Sequence, residues 1–204
     1  MADKFLDRVY GEMAPEETQA LYDTWAATYD TEIAANGYAT PGRVADALFR
    51  HLPEPDTPIL DFGCGTGLSG LALKLAGFTT IDGMDPSPEM IDGARRKGVY
   101  RTLGLLDLAD DDPIPAGAYR AIACIGVIGV GAAPAGTFDL VLRALPRGGQ
   151  MAVSLNDHAL AAGAYEGAMN QWLDCGAARL IFKEYGPHLP GQNLKSNVYI
   201  IEKA

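Results

Sequence analysis

The chain has 204 residues, 48% of them hydrophobic and 21% charged, the balance expected of one soluble domain with a full core. Its net charge of −10 argues against nucleic acid as a main partner, because gripping phosphate backbones takes clustered Lys and Arg. The densest basic cluster, Arg95, Arg96 and Lys97, is short and reads as a solvated helix end. Three scattered cysteines (Cys64, Cys124, Cys175) and three scattered histidines (His51, His158, His188) give neither a disulfide framework nor metal-ligand spacing, so no metal is expected.

The N-terminal MADKFLDRVYGE is charged and amphipathic, unlike a secretory signal, and no apolar run reaches membrane-spanning length. A cytoplasmic protein with no membrane partner is expected. PEETQALYDTWAATYD, 15–30, opens with Pro15 and two glutamates, as helices do. Leu21, Trp25 and Tyr29 recur every four residues beside Tyr22, giving one apolar face. That face is either core or a lid over a ligand. PGRVADALFRHL, 41–52, is a second helix, broken by PEPDTP. Residues 1–52 thus read as a helical cap, and 53–204 as the main domain.

From residue 57 short β-like runs alternate with helical ones. TPILDF is a strand, and GLSGLALKLAG is a helix ending at Gly77. TTIDGMD is a strand, and PSPEMIDGARRKG is a helix ending at Gly98. YRTLGLLDL and YRAIACIGVIGV are strands, PAGTFDLVLRAL is a helix and GGQMAVSLN a strand. HALAAGAYEGAMNQWLDCG, 158–176, is one helix. This alternation predicts an α/β fold with a doubly wound, mostly parallel sheet. ARLIFKEYG and NLKSNVYIIEKA follow as the sixth and seventh strands. PHLPGQ between them is too short for a parallel crossover, so the pair is predicted to be an antiparallel hairpin.

In ILDFGCGTGLSG, 59–70, a strand runs into Gly63, Gly65, Gly67 and Gly70. Ligands of open α/β sheets bind at the carboxyl ends of the strands. Glycines there allow positive φ and close approach to the main chain. Three strands end in acids, Asp61, Asp85 and Asp107, and these are predicted to converge on one crevice. Three carboxylates repel phosphates and suit hydroxyls, amines or a cation. Gly65-Thr66-Gly67-Leu68-Ser69-Gly70, with Asp85 downstream, also satisfies the dinucleotide pattern G-x-G-x-x-G. Against a nicotinamide-dependent oxidoreductase stand the acid beside a would-be pyrophosphate and the terminal hairpin.

These motifs resemble those of the class I S-adenosylmethionine-dependent methyltransferases. LDFGCGTG is similar to the family's first motif, acid-x-G-x-G-x-G, GMDPSPEMIDGAR to its second, LLDL to its third, and LPRGGQMAVS to the glycine pair before strand five. LYDTWAATYD is similar to the opening of a small-molecule subset, the Williams–Beuren region methyltransferase-like proteins. The resemblance spans about residues 15–204. It implies a Rossmann-like seven-stranded sheet with an N-terminal helical lid, S-adenosyl-L-methionine as cofactor and a small-molecule methyl acceptor. A binding module without turnover is the alternative within the same cofactor class.

The resemblance implies roles residue by residue. Asp85 would accept from both ribose hydroxyls, as its two oxygens permit. Asp61 would receive the amino-acid end, directly or through water, and Asp107 the adenine amine with the Leu108 backbone facing the ring. Gly63, Gly65 and Gly67 would allow close approach. Cys64 would be a small residue beside the methionine moiety rather than a nucleophile. Pro86 and Met90 would pack near the adenosine, and Tyr29 would approach the cofactor from the lid. Methyl transfer is an in-line displacement that needs alignment and exclusion of water, and a base only for a protonated acceptor. Asn156 and His158, after strand five, are the candidates to face the acceptor; His188 and Tyr185 rank below them. Tyr119-Arg120 stands where relatives carry Phe-Asp, a departure expected to affect local packing.

Overall fold

The computed structural model describes residues 15–204. The reading of MADKFLDRVYGE and the start of the expected cap lie outside those residues. Seven strands form one sheet, β1 Ile59–Phe62, β2 Ile81–Asp85, β3 Thr102–Leu105, β4 Ala121–Cys124, β5 Gln150–Asn156, β6 Ala178–Leu189 and β7 Leu194–Lys203. Their order is β3-β2-β1-β4-β5-β7-β6. The pairs β1–β2, β1–β4, β2–β3 and β4–β5 are parallel, whereas β7 runs antiparallel to β5 and β6. This is the mostly parallel, hairpin-terminated Rossmann-like sheet that the residue pattern predicts.

Strand side chains alternate faces, so each strand feeds two layers. Leu60, Phe62, Ile122, Cys124, Met151, Val153, Tyr199 and Ile201 share one core with Phe138, Val141 and Leu142 of α6 (Thr137–Ala144), Ala159 of α7 (Asp157–Ala162) and Met169 of α8 (Ala164–Asp174). Ile59, Ala121, Ala123, Ala152, Val198 and Ile200 share the other with Val44, Ala45 and Leu48 of α3 (Thr40–His51) and Leu73 of α4 (Leu68–Ala76). Burying each such large aliphatic chain contributes about 1.5–3 kcal/mol. A smaller cluster of Cys64, Ile91 and Ala94 seats α5 (Pro88–Lys97) against the glycine-rich turn.

The cap region divides between two packing environments. α3 belongs to the sheet's own core, while α1 (Pro15–Trp25) and α2 (Tyr29–Ala35) form a separate cluster. There Leu21, Trp25 and Ile33 pack with Leu189, beside Tyr22, Tyr29 and Tyr38.

Four elements differ from the sequence reading, each for a local reason. The helix expected over 15–30 ends at Trp25, where Thr28 N–H bonds back to the Trp25 carbonyl in a tight turn before α2 begins. Trp25 and Tyr29 still meet, ring edge to face, with centroids 4.7 Å apart. The fourth strand stops at Cys124, because Gly126 and Gly131 take positive φ (70° and 75°) and turn the rest into a loop. Gly163, at φ 71°, splits the expected 158–176 helix into α7 and α8. β6 runs through Pro187 to Leu189, because it is an edge strand and a register shift between Pro187 and Leu189 accommodates the missing donor, leaving a 3₁₀ turn, Pro190–Gln192, as the hairpin tip. At Tyr119-Arg120 the consequence is local, with the Tyr119 hydroxyl donating to Asp82 at 3.1 Å.

Candidate functional site

A cavity of about 460 Å³ opens at the carboxyl ends of β1, β2 and β4. Its floor is the turn after β1. Gly63, Gly65 and Gly67 all take left-handed φ, 71°, 52° and 92°, where a side chain is strained. The three glycines do different things. A Cβ on Gly63 would lie 2.2 Å from Val127, so this glycine lets the β1 and β4 loops touch. A Cβ on Gly65 would meet nothing within 4 Å, so its bare backbone faces the cavity. A Cβ on Gly67 would press on Ala94 and Tyr100 at 3.1 Å, so Gly67 seats α5 and does not line the cavity.

Asp85, at the end of β2, lines the cavity and joins two motifs. Its Oδ2 accepts from Gly65 N–H at 2.8 Å and its Oδ1 from Ser87 N–H at 3.0 Å. Ser87 in turn caps α5, accepting from Met90 N–H at 3.1 Å, with Pro88 at the first helical position. Burial, with Asp23 of α1 adding negative charge, pushes the Asp85 carboxyl up to about 6.

Asp61 is placed differently. It shares the strand face of Ile59, so alternation turns it under α4, away from the cavity lining. Its Oδ2 accepts from the Ser69 hydroxyl at 2.6 Å and the Tyr100 hydroxyl at 2.7 Å. Among the described residues Oδ1 has no partner. Full burial pushes this carboxyl up to about 6 also. β3 stops at Leu105, so Asp107 lies in the turn beyond it rather than ending a strand, and the three acids do not all meet in the cavity. Asp85 and Asp107 line it, and Asp61 braces its floor from below.

Of the other predicted positions, Tyr29, Cys64, Pro86, Met90 and Leu108 also line the cavity. Burial, then the nearby Asp61 and Asp85 charges, push the Cys64 thiol up, so it stays protonated and is a poor nucleophile. Asp107 holds an exposed turn by accepting from Ala109 N–H at 2.9 Å. His158 is exposed and lines neither this cavity nor the recess beside it, whereas Asn156 lines the recess. Among the described residues no group of three or more His, Cys, Asp or Glu could hold a metal ion.

Several participants escaped the sequence reading. Thr18 and Gln19 of α1 form the roof beside Tyr22, which the sequence reading places on the lid face, and Gln19 Nε2 donates to the Pro86 carbonyl at 2.9 Å. Asp30 of α2 accepts from the Thr66 hydroxyl at 2.5 Å and from Lys97 Nζ at 2.6 Å, and Lys97 also donates to the Thr66 carbonyl at 2.6 Å. Lys97 is therefore mostly covered, at 19% exposure, rather than a solvated helix end. The signal was the second acid of LYDTWAATYD, whose partner is distant in sequence. Asp30→Ala is expected to loosen the roof by about 1 kcal/mol, a half-exposed pair being partly screened. Hydrogen exchange should then quicken about fivefold in residues 15–35 and stay unchanged in β1–β5.

A methyltransferase domain family model matches residues 36–195. Human methyltransferase-like protein 27 is 37% identical over 125 residues, 59% of this chain and 51% of that protein. The chain spans about half the length of the curated relatives it matches. Among solved structures, a Burkholderia thailandensis 1,6-didemethyltoxoflavin N1-methyltransferase with bound S-adenosylhomocysteine superposes with a TM-score of 0.65 at 18% identity, covering 95% of this chain and 92% of that one. The [4+2]-cyclase SpnF superposes with a TM-score of 0.67 at 15% identity, covering 95% and 98%. At such identities these likenesses describe the fold.

Proposed function

Because the chain belongs to the methyltransferase domain family, we propose that it transfers a methyl group from S-adenosylmethionine to a small molecule bound in the same cavity. The observation that carries this reading is Gly65, whose bare backbone faces the cavity beside the buried carboxylate of Asp85. A nucleoside fits there, because its ribose hydroxyls can donate to the lone pairs that the two backbone N–H groups leave on Asp85. Pro86, Met90 and Leu108 supply apolar walls for an adenine, with Asp107 near its amine. When bound, S-adenosylmethionine supplies a methyl group already activated by its sulfonium.

This chain's residues then have two tasks, alignment and drying. Tyr22 and Tyr29 of the roof close over the cavity and exclude water. The wall from Ile125 to Leu140 includes Val127, Ala132, Ala133 and Pro134, and none of its lining residues is ionisable. No general base faces the acceptor from that side, which favours an acceptor that arrives deprotonated or is intrinsically nucleophilic. A cavity of this size under a roof suits a small acceptor better than a nucleic-acid strand.

Isotope transfer tests the reading. Methyl-labelled S-adenosylmethionine incubated with the protein and a panel of small phenols, amines and thiols should label at least one of them. Cofactor binding with no label in any panel member would favour the binding module.

A pH series adds a sharper check. Ligand hydroxyls that donate to Asp85 favour its ionised form, so its carboxyl titrates lower in the complex than its value of about 6 in the free protein. Affinity for S-adenosylmethionine should be flat above pH 6 and fall toward tenfold per unit below it. Stability of the free protein moves oppositely through this group. A carboxyl raised on folding contributes most below its unfolded value and loses that contribution as pH rises through about 6. Calorimetric titrations from pH 5 to 8 would show the first trend, and denaturant melts the second.

A further inference from the structure

Beside the main cavity lies a recess of about 50 Å³, room for one small polar substituent. Tyr22, Tyr29, Tyr38, Gly126 and Ala132 line both spaces, so the recess adjoins the cavity beneath its roof. His188, Asn156 and Ser154 line the recess as well.

His188 is 5% exposed, and a chain of hydrogen bonds sets its proton. Arg43 can only donate, so Ser196 Oγ accepts from Arg43 Nη1 at 3.1 Å. Ser196 Oγ lies 3.1 Å from Thr40 Oγ1, which lies 2.8 Å from His188 Nδ1. If Ser196 donates to Thr40 and Thr40 to Nδ1, every hydroxyl proton has an acceptor. Run the other way, the Ser196 hydroxyl proton has none among the described residues. The ring therefore carries its proton on Nε2. Burial pushes the imidazole down to about 4, which keeps it neutral near pH 7.

Asn156 is fixed as firmly. Its Oδ1 accepts from Ala159 N–H at 3.0 Å as the cap of α7, which identifies the other amide atom as nitrogen. Among the described residues Nδ2 has no hydrogen-bond partner. Among the residues lining the recess, His188 thus carries an Nε2–H donor and Asn156 an Nδ2–H donor, beside the hydroxyls of Tyr22, Tyr29, Tyr38 and Ser154. Ser154 already accepts from Gly126 N–H at 2.9 Å.

We propose that this recess is the polar end of the acceptor site, where His188 and Asn156 donate to a carbonyl oxygen of the molecule being methylated. As a statement about an acceptor it rests on the methyltransferase reading. His188 is a substrate-positioning residue here and not a base, since its basic nitrogen is turned to Thr40.

The test uses the whole chain, ¹⁵N-labelled, with two uncharged probes of similar size, acetophenone and ethylbenzene. Long-range ¹⁵N–¹H correlation should find the His188 proton on Nε2, a readout that needs no variant. Acetophenone should bind about three- to tenfold more tightly than ethylbenzene for each hydrogen bond gained, and should shift the His188 ring and Asn156 amide signals. Asn156→Asp keeps the helix cap but removes the donor, and should cut that preference about three- to tenfold. A proton on Nδ1, or acetophenone binding no better than ethylbenzene, overturns the proposal. Titrations run with and without S-adenosylhomocysteine separate the two readings. Failure of S-adenosylhomocysteine to bind counts against the methyltransferase, while the probe ratio still decides the recess.

Discussion

Asp85→Ala is expected to weaken S-adenosylmethionine binding by about 1–3 kcal/mol, roughly five- to 150-fold. Two losses combine in that figure. The ribose hydroxyls lose a charged acceptor, and the Gly65 and Ser87 amides lose the carboxylate that holds the turn after β1 against the start of α5. Titration calorimetry reads the affinity, and a thermal melt separates it from folding. Unchanged affinity would remove the ribose role. Because Asp85 is buried and its carboxyl is already raised by desolvation, the free variant should lose little stability at pH 7.

Gly70→Ala should have the largest effect on folding. In an ordinary helix this change stabilises by about 0.5–1 kcal/mol. Here it should destabilise by about 2–4 kcal/mol, because the new methyl would lie 2.3 Å from the Tyr100 ring and hydroxyl. Displacing Tyr100 also strips Asp61 of one of its two donors, leaving a buried carboxylate on Ser69 alone. A double-mutant cycle in urea isolates the clash. In a Tyr100→Ala background, Gly70→Ala should cost nothing further. A neutral or stabilising Gly70→Ala in the parent protein would mean that Tyr100 does not brace the floor of the cavity.

The alternation of short apolar runs with helical periods was enough to foresee a doubly wound, mostly parallel sheet and its terminal hairpin, because both follow from local pattern and connection length. The glycine-rich turn and Asp85 were legible for the same reason, as strand, turn and helix start are contiguous. What escaped needed partners far apart in the chain. Asp61 was read as a ligand-facing acid, yet strand alternation turns it toward Ser69 and Tyr100, and the Tyr100 contact lies 39 residues away. Lys97 looked like a solvated charge until Asp30 met it from 67 residues upstream. His188, ranked below His158, reaches the recess because β6 runs past Pro187 and places it beside Thr40, 148 residues away.

A crystal of the protein with S-adenosylhomocysteine tests the central claim most directly. The expected result is density for one nucleoside per chain lying on the bare backbone of Gly65, with both ribose hydroxyls on Asp85. Density elsewhere, or Asp85 turned away from the sugar while still holding the Gly65 and Ser87 amides, would contradict it.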